Sequence, residues 1–157
     1  YTLSAHDMFL HSAVHLFFGG EFDQGLRDLF DMHRLATHFG AEPGFWDGLV
    51  ARAVALELTR PMFYALRYAT RTFGTPVPPS VMAASQAFAP SQVVLALMDA
   101  LFTRALAPPH PACAARFDGA AHFALYVRGN WLRMPLLLLT RHLFHKAFVS
   151  PRAAEAA

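Results

Sequence analysis

Charge is scarce in this chain. Of 157 residues only 15% are Asp, Glu, Lys or Arg, against about 25% in ordinary soluble domains. The 13 basic and 11 acidic side chains nearly cancel, leaving a net charge of +2 with histidine neutral. That balance lacks the strongly basic footprint of a dedicated nucleic-acid binder, so no specific nucleic-acid partner is expected. A single cysteine, Cys113, excludes a disulfide scaffold and any site built from clustered thiolates, and its Pro/Ala-rich surroundings offer no activating partner. Long apolar runs are missing too. The longest charge-free stretch, 72–98, carries Pro76, Pro78, Pro79 and Pro90 and cannot form a membrane-spanning helix of roughly 20 apolar residues. No Gly-rich phosphate loop, G-x-S-x-G elbow or H-E-x-x-H pair is present, so no self-sufficient active site declares itself.

What the chain has instead is apolar side chains, at 55% of residues. This excess excludes intrinsic disorder and is enough for one domain with a real core. Its spacing is helical, with no alternating strand. Ser4 and Asp7 form a capping-box-like start for a first helix to about Phe18, with Phe9, Leu10, Ala13, Leu16 and Phe17 as its core face and Gly19–Gly20 as its stop. A second helix spans about 22–39, a third about 45–58, and a fourth restarts around Thr59 and Pro61 and ends at Gly74. The proline-rich stretch 75–80 reads as a linker. Beyond it lie a helix over about 91–106, another over about 112–127 broken by Gly129–Asn130, and a last one from Pro135. The expected fold is an all-α array of about six to eight helices with short loops, in a single domain 1–157 made of a first block 1–74 and a second block 81–157. A reducing, cytoplasmic location is the default expectation.

Three constellations could carry chemistry. Asp7, His11 and His15 fall at i, i+4, i+8, close to one stripe of the first helix. Two histidines one turn apart plus a carboxylate could hold a divalent metal, or they could be hydrogen-bonded structural residues. Arg27 with Asp31, and Asp31 with Arg34, are spaced as ion pairs on the second helix. They form either a solvated face or, by meeting His11 and His15 across the hairpin, a His–Asp–Arg network aimed at a ligand. At the C-terminal end, Arg141, His142, His145 and Lys146 oppose Leu136, Leu137, Leu143, Phe144, Ala147 and Phe148. Such an amphipathic helix serves as a core element with a solvated back or as a basic surface for an anionic partner.

The order of several short motifs completes the reading. His6-Asp7, Leu10-His11, His15-Leu16 and Gly25-Leu26-Arg27-Asp28-Leu29 with Asp31 come first. Phe45-Trp46, Arg52-Ala53, Leu56-Glu57-Leu58-Thr59-Arg60, Tyr64-Ala65-Leu66-Arg67 and Phe73-Gly74-Thr75-Pro76-Val77-Pro78 follow, and Trp131-Leu132-Arg133-Met134-Pro135 with Arg141-His142 and Lys146 closes the set. Over nearly the whole chain this resembles the C-terminal helical region of the uncharacterised bacterial nucleotidyltransferase family, relatives of the polymerase-β-like transferases. The resemblance implies an upstream α/β domain whose Gly-Ser motif and paired aspartates hold Mg²⁺ and a nucleoside triphosphate. This sequence contains neither a Gly-Ser dipeptide nor an Asp-x-Asp. The expectation is therefore a C-terminal piece or stand-alone remnant that binds no cofactor alone. It would bind the acceptor or complete the site of a missing N-terminal catalytic domain, through His11, His15, Arg27 and Asp31. A second copy could cover the apolar surface in place of that domain. The alternatives are a non-enzymatic helical dimerisation module and a metal- or ligand-binding protein using Asp7, His11 and His15.

Overall fold

The computed structural model describes residues 3–108, 110, 117–133 and 138. Among them every regular element is a helix: α1 (Ala5–Gly19), α2 (Gly25–Phe39), α3 (Phe45–Ala55), α4 (Thr59–Phe73), α5 (Pro79–Gln86), α6 (Gln92–Ala105) and α7 (Asp118–Arg133). The all-α expectation holds. None of these helices is long and apolar enough to cross a membrane. Cys113 and the basic amphipathic stretch 135–148, apart from Leu138, lie outside the described residues.

Helix α1 begins where the sequence signals it. The Asp7 amide donates to Ser4 Oγ at 3.1 Å, and that hydroxyl donates to Asp7 Oδ2 at 2.9 Å, so one short side chain serves an unpaired first-turn donor and a carboxylate together. The helix ends at Gly20, whose φ of +79° lies in the left-handed region that favours glycine. Its predicted core face is the observed one: Phe9, Leu10, Ala13, Leu16 and Phe17 are all buried. Helix α1 packs on α2, α3, α4 and α7 and is the axis of the molecule. Around its C-terminal half sits an aromatic cluster in which Phe17, Tyr64 and Tyr68 surround Phe102 of α6, with ring centroids 5.1–5.3 Å from it.

Three features depart from the sequence reading. The segment 75–80 is more than a spacer. Thr75 is buried and its hydroxyl pairs with His33 Nδ1 at 2.9 Å, and Pro79 opens the short helix α5, a placement that proline favours because it needs no donor there. Gly129–Asn130 does not break a helix, and α7 runs through both to Arg133. Gly129 is there because α7 crosses the end of α1 backbone to backbone. A Cβ on Gly129 would stand 2.8 Å from Gly20 Cα and 2.9 Å from the Gly19 oxygen. Finally, α4 and α6 are joined by a carboxylate that the sequence did not single out. Asp99 accepts from Arg67 Nε at 2.9 Å, Arg67 Nη2 at 2.6 Å and the Tyr68 hydroxyl at 2.7 Å, while Arg71 stands 3.0 Å away. The Arg67 guanidinium chiefly holds the Asp99 carboxyl well below its usual range, and burial chiefly pushes the Tyr68 phenol up.

The bare carboxyl end of α1 has no basic residue in its own last turn. Arg128 of α7 supplies the charge from across the crossing, donating from Nη1 to the Phe17 carbonyl at 2.7 Å. Its guanidinium carbon lies 5.7 Å from the ring centroids of Phe18, Tyr64 and Phe102. Burial lowers the arginine's pKa while Tyr64 acts against that shift, so the rings and the helix end replace the water that the cation lost. Arg128→Met keeps most of the stem's packing and removes these interactions. It is expected to destabilise the fold by about 2 kcal/mol, read as a lower urea midpoint with an unchanged slope.

Candidate functional site

Two concavities flank α2. The first is a polar recess of about 190 Å³ between α1 and α2, lined by His11, Ser12, His15, Asp28 and Asp31. Its composition follows from helix geometry. His11 and His15 are one turn apart on α1, Asp28 and Asp31 nearly one turn apart on α2, and residues so spaced share a face. Because the two helices pack together, these faces meet. His15 Nδ1 stands 4.0 Å from Asp28 Oδ2, a loose pair with both groups reaching solvent. Ser12 is occupied locally, donating to the Met8 carbonyl at 3.0 Å.

Three of the four residues expected to cooperate, His11, His15 and Asp31, do converge. Arg27 does not. Instead of joining the recess it lines the second concavity on the opposite flank of α2, and no ion pair within 4 Å joins it to Asp31, nor Asp31 to Arg34, among the described residues. The place expected for Arg27 belongs to Asp28. On a helix both i+3 and i+4 neighbours of a residue share its face, so Asp31 could be grouped with Asp28 or with Arg27; the roll of α2 on α1 decides. Burial of Leu29, Met32 and Ala36 fixes that roll.

Asp7 is also drawn elsewhere. Arg52 of α3 grips it through Nε to Oδ1 at 2.8 Å and Nη2 to Oδ2 at 3.4 Å, and the Arg52 bond, with the Ser4 bond after it, lowers the carboxyl's pKa. The Asp7–His11–His15 trio is therefore not assembled. Among the described residues no group of three or more His, Cys, Asp or Glu side chains is placed to hold a metal ion.

The second concavity is larger, about 950 Å³, and opens between the start of α2, the ends of α4 and α6 and the start of α7. Phe22, Phe30 and Phe73 give it aromatic walls, and Arg27 and Arg104 stand among them. His33 backs this wall, its ring 5.8 Å from Phe30 and 5.6 Å from Phe73. Nothing in the helical periodicity of the sequence announces it, because its lining comes from four helix ends, those of α2, α4, α6 and α7, that are distant along the chain.

Residues 1–74 match the uncharacterised nucleotidyltransferase family. The match takes in α1 to α4, the whole recess, Arg27 and Arg52, and ends on the glycine that caps α4. It leaves out Arg104 and the start of α7 on the far side of the larger cleft. The resemblance of this nucleotidyltransferase family to Trp131–Pro135 and to Arg141, His142 and Lys146 falls outside the matched residues. No curated protein matches the chain, and no solved structure does.

Proposed function

We propose that this helical unit binds the acceptor in a nucleotidyl transfer reaction and presents its hydroxyl at the recess between α1 and α2. The observation that supports the reading is the convergence of His11, His15, Asp28 and Asp31 within the residues that match the nucleotidyltransferase family. In such a reaction the acceptor oxygen bonds to the α-phosphorus of a nucleoside triphosphate, pyrophosphate leaves, and the acceptor proton must go to a base. His11 or His15 takes that proton in this reading, with Asp28 and Asp31 orienting the imidazoles. In this reading the triphosphate is held by groups other than these four side chains. The unit's part is positioning and proton removal.

The test is transfer of label from α-³²P-labelled nucleoside triphosphates to acceptors in a small-molecule extract, using the full-length protein. His11→Gln with His15→Gln is expected to lower turnover by about 10²-fold or more, the usual contribution of a positioned base. Both side chains are exposed, so the double variant should fold like the parent. Turnover unchanged in a folded double variant overturns the reading, as does a full-length protein that transfers no label.

A further inference from the structure

We infer that the larger cleft, on the other flank of α2, is a binding site for a small organic anion with an aromatic or aliphatic body and one carboxylate or phosphate head. Its volume of about 950 Å³ is at the upper end of the range of small-molecule sites, roughly 300–1,000 Å³. Its walls are apolar in a particular way. Phe30 touches Phe73 edge to face at 5.4 Å, yet 44% of its surface remains exposed. An aromatic ring left half open in a concavity, fixed by two neighbouring rings, is preorganised to cover a ligand's face.

The charges select the sign of the head group. Among the described residues, four formal charges line the cleft: Arg27, Arg104, Asp23 and Asp118. Arg104 has Asp118 at 4.0 Å, so these two offset each other. Asp23 lies just outside the first turn of α2, where Gln24 provides no capping side chain, and there a carboxylate offsets the positive end of the helix. Arg27 is the charge left over. It is exposed and has no carboxylate within ion-pair distance among the described residues. One uncompensated guanidinium beside an aromatic wall is matched by one anionic group attached to an apolar body, with the fork of the guanidinium suited to either carboxylate or phosphate. This inference does not depend on the acceptor reading, since it concerns different side chains and is read without nucleotide.

Isothermal titration with 1-naphthyl phosphate, 1-naphthoate and the neutral 1-naphthylmethanol tests it. One saturable site per chain is expected, with at least one of the anions binding about tenfold tighter than the alcohol; the tighter anion identifies the head group. Arg27→Gln should abolish that preference while leaving the alcohol's affinity unchanged. Ala107→Trp, which places an indole in the cleft from its partly exposed rim, should abolish binding of all three. Absence of saturable binding, an anion preference that survives Arg27→Gln, or full binding by folded Ala107→Trp each overturns the inference.

Discussion

Gly129→Ala is expected to destabilise the protein by about 2–3 kcal/mol, although alanine is the better helix former by about 1 kcal/mol. The reversal comes from what the new methyl meets. Its neighbours at 2.8–2.9 Å are Gly20 Cα, the Gly19 oxygen and Gly20 N, all backbone, so no side chain can swing aside and α7 must lift from α1. Lifting it also draws Arg128 from the Phe17 carbonyl and loosens the packing over Phe102. Gly119 provides the control within the same helix. A Cβ there meets nothing within 4 Å, and Gly119→Ala should be neutral or stabilise by up to about 0.5 kcal/mol. In thermal melts the first variant should fall by roughly 5–10 °C and the second should not fall. A Gly129→Ala protein as stable as Gly119→Ala would mean that the two backbones do not touch.

Asp99→Ala should cost a similar amount, about 2–3 kcal/mol, by leaving Arg67 and the Tyr68 hydroxyl without their acceptor. The partial exposure of the pair, with both side chains 22% exposed, keeps the figure below that of a fully buried pair. The pH dependence has a definite sign. The folded carboxyl titrates below its ordinary value, first because of Arg67, so its contribution is complete above about pH 4 and is lost as pH falls through the folded value. The gap in melting temperature between the parent and Asp99→Asn should therefore be widest at neutral pH and narrow as pH drops from 4 toward 2. A gap that grows on acidification would show that the network does not hold the carboxylate.

The parts of this molecule written in local spacing could be read directly from the sequence. The core face of α1, its Ser4 start and Gly20 stop, and the Gly74 cap of α4 each depend on residues within a few positions of one another. The polar recess was half legible for the same reason. His11 and His15 declare a common face, whereas the choice between Asp28 and Arg27 as their partner depends on how α2 rolls against α1, which only tertiary packing sets. Gly129 was misread because a glycine inside a helical pattern looks the same whether it ends the helix or lets another backbone approach. Asp99, Arg128 and the larger cleft were not legible at all. Each unites positions from about 30 to more than 100 residues apart, and no local pattern records such a meeting.

Arg128 and Phe102 also bear on how such a chain can be divided. The match to the nucleotidyltransferase family covers residues 1–74, but the packing that holds them reaches further. The ring that fills the nest of Phe17, Tyr64 and Tyr68 comes from α6, and the charge that closes α1 comes from α7. The first four helices are thus not an interchangeable cassette. Grafted onto another protein, they would carry the recess with them but arrive with an unfilled aromatic socket and an uncapped helix, and the host would have to supply both.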